Sequence, residues 1–277
     1  MPEQLAPGLH VVATPIGNLG DLSPRAAGTL ARADLILVED TRVTARLLAH
    51  VGCKVPMRRY DDHATERDRE AVIALLGDKA VALVSDAGTP LVSDPGYKLV
   101  RAARAAGHEV HTVPGPCAAI AALTLAGLPT DRFLFLGFLP ARAKAREDAI
   151  REVGTVQATL VLYESGPRLA ATLAALAQQL GDRESAVVRE ITKLHEECVT
   201  GSLSDLAGRY RDSPPKGEIV ITVGPPAEAP AASDADLDEA LGEALGRLSP
   251  SRAAAKVAEQ LGLPRKRVYA RALELSK

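Results

Sequence analysis

The chain has 277 residues, 47% of them hydrophobic, which is enough for two domains of ordinary size. The formal net charge of −2 excludes a polycation that binds nucleic acid through bulk charge, so such binding would need a local patch. Three widely separated cysteines exclude a disulfide framework and a metal-ligand spacing, and they fit a reducing cytoplasm. The N-terminus lacks a signal-peptide pattern, and the longest apolar run, 118–128, is too short for a membrane span. We therefore expect a cytoplasmic protein with no membrane partner.

Short apolar runs alternate with helical patterns in the first part of the chain. Runs of this kind, bounded by Gly, Pro and Asp, are typical of buried strands. The predicted strands are 9–14, 34–40, 81–86 and 109–113. The segment 98–107 between the last two has apolar residues on one helical face and ends at Gly107. This alternation predicts a mainly parallel sheet covered by helices.

The same pattern restarts after Pro140. Further strands are predicted at 133–140, 158–165, 185–190 and 217–223. We therefore predict an α/β fold of two domains, 1–115 and 116–224. Residues 225–240, rich in Pro, Ala and Asp, predict a linker, followed by a small basic helical extension over 241–277.

The extension carries a helix-turn-helix pattern. From Arg247 to Lys277 there are eight basic residues and two acidic ones. Ala258, Gly262 and Val268 have the spacing of a small contact residue, a turn glycine and an apolar anchor. Three cations then open the second helix, where they could meet phosphates: Arg265, Lys266 and Arg267. A plain helical hairpin is the alternative interpretation.

The stretch SDAGTPLVSDPG, residues 85–96, follows a strand directly. Open α/β sheets bind ligands at the carboxyl ends of strands, where Asp86 could accept hydrogen bonds and Gly88 allows close approach. The second Ser-Asp pair predicts a helix that starts at Pro95 with Asp94 as its N-cap. The alternative is that the two Ser-Asp pairs only shape the turn and cap the following helix, and bind no ligand.

A second strand-to-helix turn occurs at 112–128. Pro116 can occupy the first helical position, which leaves the N–H groups of Cys117 and Ala118 for a ligand; the alternative is a tight turn. The chain lacks GxGxxG after its first strand, a P-loop, HExxH and a Gly-x-Ser-x-Gly elbow. Dinucleotide dehydrogenases, P-loop NTPases, zincins and serine hydrolases are therefore disfavoured, and no metal is expected.

Two acidic clusters follow predicted strands. Glu39 and Asp40 stand at the carboxyl end of a strand and would face a cleft there. Asp61, Asp62 and His63 precede a helical pattern, and helix capping with a solvated charged face explains them equally well.

Several motifs together resemble the tetrapyrrole methylase superfamily, and within it the branch that methylates 16S ribosomal RNA. These motifs are TPIGNLGD, EDTR, SDAGTPLVSDPG, PGPCAA, GFLP, LYES, RE-T-K and KGE. The resemblance implies S-adenosylmethionine as methyl donor, bound in a cleft between the two α/β domains, and a homodimer. The cofactor-binding residues that it implies are Pro15, Asp86, Gly88, Thr89, Cys117 and Ala118.

The resemblance implies methyl transfer to the 2′-hydroxyl of a cytidine in 16S ribosomal RNA of the small ribosomal subunit. Glu39, Asp40 and His63 are the candidate catalytic bases, and Arg42 joins the tail cations as a candidate RNA contact. Two alternatives stay open: a methylase of a small tetrapyrrole-like molecule, and a non-catalytic RNA-binding protein. Only the first function needs both the Asp86 loop and the basic tail.

Overall fold

The computed structural model describes residues 5–227 and 233–276, which divide between two compact units, 1–226 and 227–277. The first unit holds two five-stranded sheets, and the second is helical. Part of the predicted linker, 228–232, lies outside the described residues. Within the described ranges, no helix has the length and apolar character that crossing a bilayer requires. The domain boundaries at 115 and 224 stay a prediction.

The first sheet is entirely parallel, with strand order β3-β2-β4-β1-β5. Its strands are β1 (Gly8–Val12), β2 (Leu35–Val38), β3 (Met57–Arg59), β4 (Ala80–Leu83) and β5 (Val110–Val113). Its helices are α1 (Pro24–Arg32), α2 (Thr41–Val51), α3 (Glu66–Ile73) and α4 (Tyr97–Ala105). Apolar clusters form on both faces, as expected for strands buried between helices. The sequence missed β3, because a three-residue edge strand with two arginines lacks an apolar run.

The second sheet has the order β6-β7-β10-β8-β9, and only β6 and β7 run parallel in it. Its strands are β6 (Phe133–Phe138), β7 (Thr159–Ser165), β8 (Glu184–Arg189), β9 (Glu197–Ser202) and β10 (Glu218–Val223). Its helices are α5 (Ala118–Ala126), α6 (Ala143–Glu152), α7 (Gly166–Leu180) and α8 (Leu203–Arg209). The expectation of a mainly parallel sheet is therefore wrong here. The loop from β8 to β9 is too short for a crossover helix, so these strands pair antiparallel.

Two helices begin later than predicted. Helix α4 starts at Tyr97 with Gly96 as its N-cap, and no side chain caps it, so the prediction that Asp94 is the cap is wrong. A Cβ atom at Gly96 would lie 2.7 Å from Leu83 Cδ2, and its φ of 126° suits glycine. Helix α5 starts at Ala118, so the prediction that Pro116 begins it is also wrong. Both shifts lengthen the loops that follow β4 and β5.

The second unit consists of α9 (Asp234–Leu245), α10 (Pro250–Leu261) and α11 (Arg265–Leu275). Helix α9 begins inside the predicted linker, at a capping box between Ser233 and Asp236. Helix α10 ends at Gly262, which has a φ of 63°, and Val268 of α11 is fully buried. The predicted helix-turn-helix is thus present, with one more helix before it than the sequence indicated.

Candidate functional site

A cavity of about 370 Å³ lies between the two sheets. The long loop after β4 forms one side of it, and the ends of β6, β7 and β10 form the other. Apolar walls come from both sides, and the lining also includes the acidic residues Asp86, Asp94, Glu164 and Glu218. A mostly apolar cleft with a few placed polar groups is the usual form of a small-molecule site.

Five of the six predicted cofactor-binding residues line this cavity. They are Asp86, Gly88, Thr89, Cys117 and Ala118. Within residues 5–227 the lining does not include the sixth, Pro15, but includes its neighbour Ile16. The two strand-to-helix loops that the sequence singled out therefore meet at one place.

One hydrogen bond joins the two loops, and a second ties the loop after β4 to the segment after β1. The Thr89 hydroxyl donates to the Pro116 carbonyl at 2.9 Å, and the Thr14 N–H donates to the Gly88 carbonyl at 2.8 Å. Gly88 has a φ of 82°, and a Cβ atom there would come within 3.1 Å of Ile16 Cγ2. A glycine at this position therefore lets the loop press against the wall of the cavity.

Tyr163 covers the start of helix α5. Cys117 is the N-cap of this helix and makes no capping hydrogen bond with its side chain. Tyr163 packs in one apolar cluster with Cys117 and Ala119, and burial is the main cause that raises the pKa of Tyr163. Its ring packs edge-on against Phe138, with centroids 5.6 Å apart. The phenol is therefore neutral and helps fix the wall of the cavity.

Glu164, the next residue along β7, is a buried carboxylate whose oxygens are occupied. Its Oε1 accepts from the Ser165 N–H at 2.8 Å, and its Oε2 accepts from the Thr172 hydroxyl at 2.7 Å. Arg168 Nε lies 3.3 Å from Oε1, and Arg168 Nη2 donates to the Leu139 carbonyl at 2.7 Å. This network ties the GFLP and LYES segments together on the second-sheet side of the cavity.

A second cavity, of about 590 Å³, adjoins the first through Asp86, which lines both. It contains all three predicted catalytic residues, Glu39, Asp40 and His63, as well as Arg42. The remaining lining residues are Thr41, Arg59, Asp61, Asp62 and Pro95. The structure thus gathers the two acidic clusters that the sequence placed after separate strands.

Glu39 has the most perturbed carboxyl group of the second cavity. Burial, together with the charges of Asp94, Asp86 and Asp62, raises its pKa to about 7. Its Oε1 atom is buried and has no hydrogen-bond partner among the described residues. Asp94, in the first cavity, has its pKa raised to about 6, mainly by burial. A group that titrates near neutral pH can accept a proton under working conditions.

The other two catalytic candidates are less suited to that role. Asp40 caps helix α2 through the Arg42 N–H, and its hydrogen bonds with the Arg42 side chain lower its pKa to about 2. His63 is exposed, and its backbone N–H donates to Asp61 Oδ1 at 2.9 Å. The Arg42 side chain is 86% exposed at the mouth of the cavity, apart from its ion pair with Asp40.

The tail cations have unequal surroundings within the second unit. Arg265 and Lys266 are exposed in the first turn of α11. Arg267 Nη2 lies 2.9 Å from Asp234 Oδ1 of α9, so its charge is already paired. The sequence could not show this, because Asp234 belongs to a helix that was taken for a linker.

The side of the cavity that the second sheet provides was not predicted from the sequence. Phe138, Tyr163, Ile191 and Glu218 line it. They stand in or next to GFLP, LYES, RE-T-K and KGE, which carried the family resemblance, and this was the signal that could have identified them. Among the described residues, no group of three or more His, Cys, Asp or Glu side chains could hold a metal ion.

Comparison with known families matches both units of the chain. The family described as Tetrapyrrole (Corrin/Porphyrin) Methylases matches residues 8–207, and the RsmI C-terminal HTH domain matches residues 231–276. A protein of Erythrobacter litoralis named "Ribosomal RNA small subunit methyltransferase I" is 56% identical over 99% of this chain and 97% of its own length. A protein of the same name from Mesorhizobium japonicum is 47% identical, over 98% of this chain and 93% of its own.

Solved structures agree on the fold. The uroporphyrin-III-C-methyltransferase of Thermus thermophilus has a TM-score of 0.56 and 23% identity over 78% of this chain and 93% of its own. A diphthine synthase has a TM-score of 0.61 and 16% identity, over 78% of this chain and 90% of its own. At these identities the likeness concerns the fold alone.

Proposed function

The chain belongs to the tetrapyrrole methylase family and, within it, to the ribosomal RNA small subunit methyltransferase I group, and we propose that it methylates the 2′-hydroxyl of a cytidine in 16S ribosomal RNA. The methyl donor is S-adenosylmethionine. The observation that carries the proposal is the 56% identity to a curated relative over 99% of the chain, which includes both the catalytic fold and the helical tail.

The cavity of about 370 Å³ suits the donor. Bound there, S-adenosylmethionine supplies a methyl group already activated on a positively charged sulfur. Asp86 and Asp94 give the cavity negative charge that favours a cation, and its apolar walls suit a nucleoside. The N-terminus of α5, at Cys117 and Ala118, presents backbone N–H groups that suit the carboxylate of the donor. In this proposal Gly88 and Thr89 hold the loop that closes around the donor.

Glu39 is the general base of the proposed reaction. Its raised pKa and its position in the adjoining cavity, across Asp86 from the donor site, support this role. Asp40 orients the start of α2 and holds Arg42, and His63 contributes to the mouth of the cavity. Positioning of the two reactants provides the larger part of catalysis, since the donor needs no further activation.

The RNA contacts are proposed at two places. Arg42 is exposed at the mouth of the second cavity, and Arg265 and Lys266 are exposed on α11, where Tyr269 is 41% exposed beside them. Arg267 is instead paired with Asp234 of α9 and is not proposed as an RNA contact. A tetrapyrrole is the weaker candidate for the acceptor, because its methylation would leave the exposed cations at the start of α11 without a role.

We propose in addition a homodimer that acts in the cytoplasm. Helix α5 is composed of Ala, Leu, Ile and Thr, and it leaves Ile120 46% and Leu125 40% exposed. These two side chains are candidate contacts of the dimer. Sedimentation of the purified protein should give twice the mass of the chain.

Transfer of labelled methyl from S-adenosylmethionine to small ribosomal subunits that lack the modification tests the proposal. Digestion of the product to nucleosides should place the label in 2′-O-methylcytidine. Label on the base or on protein, or no label in the presence of demonstrable donor binding, would overturn the assignment of the acceptor. Absence of donor binding would overturn the enzyme assignment itself.

A further inference from the structure

Backbone strain is concentrated at the first cavity. Among the described residues, four that are not glycine have a clearly positive φ: Leu91 (74°), Ser93 (62°), Glu190 (51°) and Thr192 (67°). They form two left-handed segments, 91–93 and 190–192, each with one residue between its strained pair. These central residues, Val92 and Ile191, both line the cavity. Segment 91–93 lies in the loop after β4 of the first sheet, and segment 190–192 follows β8 of the second sheet.

Such conformations are unfavourable for residues with a Cβ atom. Asn and Asp tolerate the left-handed region best, whereas a β-branched residue such as Thr192 is a true outlier there. Strained residues persist only where the surrounding structure holds them, and they collect at ligand-binding sites. Because four such residues lie around one cavity, the surrounding structure must hold the backbone of the cavity walls in an unfavourable conformation.

Each segment, or the residue that follows it, also lies close to a glycine of the opposite half of the first unit. A Cβ atom at Gly137 of β6 would lie 2.9 Å from Ser93 Oγ, so the first segment approaches the second sheet closely at this glycine. A Cβ atom at Gly17, after β1, would lie 2.6 Å from Lys193 Cγ, so the residue that follows the second segment rests on the first half. The two contacts interlock the halves on either side of the cavity.

Ion pairs hold the second segment in place. Lys193 Nζ lies 3.0 Å from Glu190 Oε1 and 3.1 Å from Glu218 Oε2. The Glu190 N–H donates to the Glu218 carbonyl at 3.3 Å, and the Glu190 carboxylate covers Gly217 closely enough to leave no room for a side chain there. The conformation of Glu190 is thereby tied to the start of β10, which itself lines the cavity.

We propose that the two left-handed segments are positioning elements that set the width of the donor cavity, holding Val92 and Ile191 in the conformation that binds S-adenosylmethionine. This inference rests on the proposed donor site. Preorganisation of this kind improves affinity because the ligand does not have to order the site. Ser93 and Thr192 are positioning residues and take no part in methyl transfer.

The test is to relieve the strain and measure binding and stability together. Ser93→Gly and Thr192→Gly remove the Cβ atom that opposes a positive φ, so each should raise the Tm by about 2 °C in a chain of this size. Each should also weaken binding of S-adenosylmethionine by about tenfold, because the segment is freed to leave the bound conformation. In steady-state kinetics the KM for the donor should rise, whereas kcat at saturating donor should stay unchanged.

Gly107→Ala is the matched control. Gly107 has a φ of 80°, and no atom lies within 4 Å of a Cβ built there, so alanine adds left-handed strain away from the cavity. It should lower the Tm and leave donor affinity unchanged. Higher Tm with unchanged affinity in both relieved variants would overturn the proposal, and so would a lower Tm in both. Failure of the unaltered protein to bind the donor would instead count against the proposed function.

Discussion

Asp86 Oδ1 accepts a hydrogen bond from the backbone N–H of Asp40 at 3.0 Å. This bond joins the loop after β4 to the start of the loop after β2, two neighbouring strands of the parallel sheet. Asp86 also lines both cavities, so one side chain forms part of the boundary between the proposed donor site and the proposed acceptor site.

The first prediction concerns this boundary. Asp86→Ala removes a carboxylate from the donor cavity and the hydrogen bond to Asp40, so donor affinity should fall by about tenfold or more. The free energy of unfolding should fall by only about 0.5–1.5 kcal/mol, the usual worth of one hydrogen bond. Calorimetric titration and urea denaturation measure the two. Asp78→Ala, at an exposed position before β4, is the control and should change neither.

The second prediction concerns Glu39. If it is the general base, kcat should rise with pH through an apparent pKa of about 7 and reach a plateau above it. Glu39→Gln should lower kcat by about 10²–10⁴-fold and abolish this limb of the profile, with donor affinity unchanged. If the limb near pH 7 persists in the variant, another group is the base, and Asp94 is the next to test.

Glu39 should also affect how the free energy of unfolding depends on pH. Its pKa in the folded chain, about 7, is above the value of about 4.3 expected in the unfolded chain. The unfolded chain therefore releases the proton first, and the contribution of Glu39 to stability, complete below about pH 4.3, is lost as the pH rises through 7. Glu39→Gln should flatten the pH dependence of the unfolding free energy in this window. A variant curve parallel to that of the wild type would contradict the raised pKa.

The third prediction separates two kinds of tail cation. Arg265→Ala with Lys266→Ala should weaken RNA binding and reduce the slope of log K against log salt by about 1.4–1.8, as expected for two lost phosphate contacts. Arg267→Ala should leave that slope unchanged. It should lower the free energy of unfolding by at most about 1 kcal/mol, since the pair with Asp234 is exposed. An equal loss of salt dependence in both variants would contradict the division of roles.

The sequence predicted most of the parallel sheet, because its strands are continuous apolar runs. It also located the loops at 85–96 and 112–118, since Gly, Pro, Ser and Asp after a strand are strong local signals. The start of α4 at Gly96 was missed because the close approach of residue 96 to Leu83, which leaves no room for a side chain, is a tertiary contact. Local chemistry favoured Asp94, and tertiary packing overrode it.

The candidate site was only half predictable for a similar reason. Glu39 and Asp86 could be proposed because each ends a strand, but their electrostatic coupling depends on strand order, which no local pattern states. Tyr163 and Ile191 were missed because apolar side chains that line a cavity look the same in sequence as those of a core. The antiparallel pairing in the second sheet likewise follows from non-local contacts.

The last prediction concerns Glu164, whose side chain is fully buried beneath the donor cavity. Glu164→Ala should lower the free energy of unfolding by about 1–3 kcal/mol, because it leaves the fully buried Thr172 hydroxyl without a partner and Arg168 without its ion pair. Glu164→Gln keeps the shape and one acceptor oxygen, so it should cost less and retain donor binding. Thermal unfolding and donor titration of both variants measure this. If the alanine variant were as stable as the glutamine variant, the network from Glu164 to the Leu139 carbonyl would not hold the wall of the cavity in place.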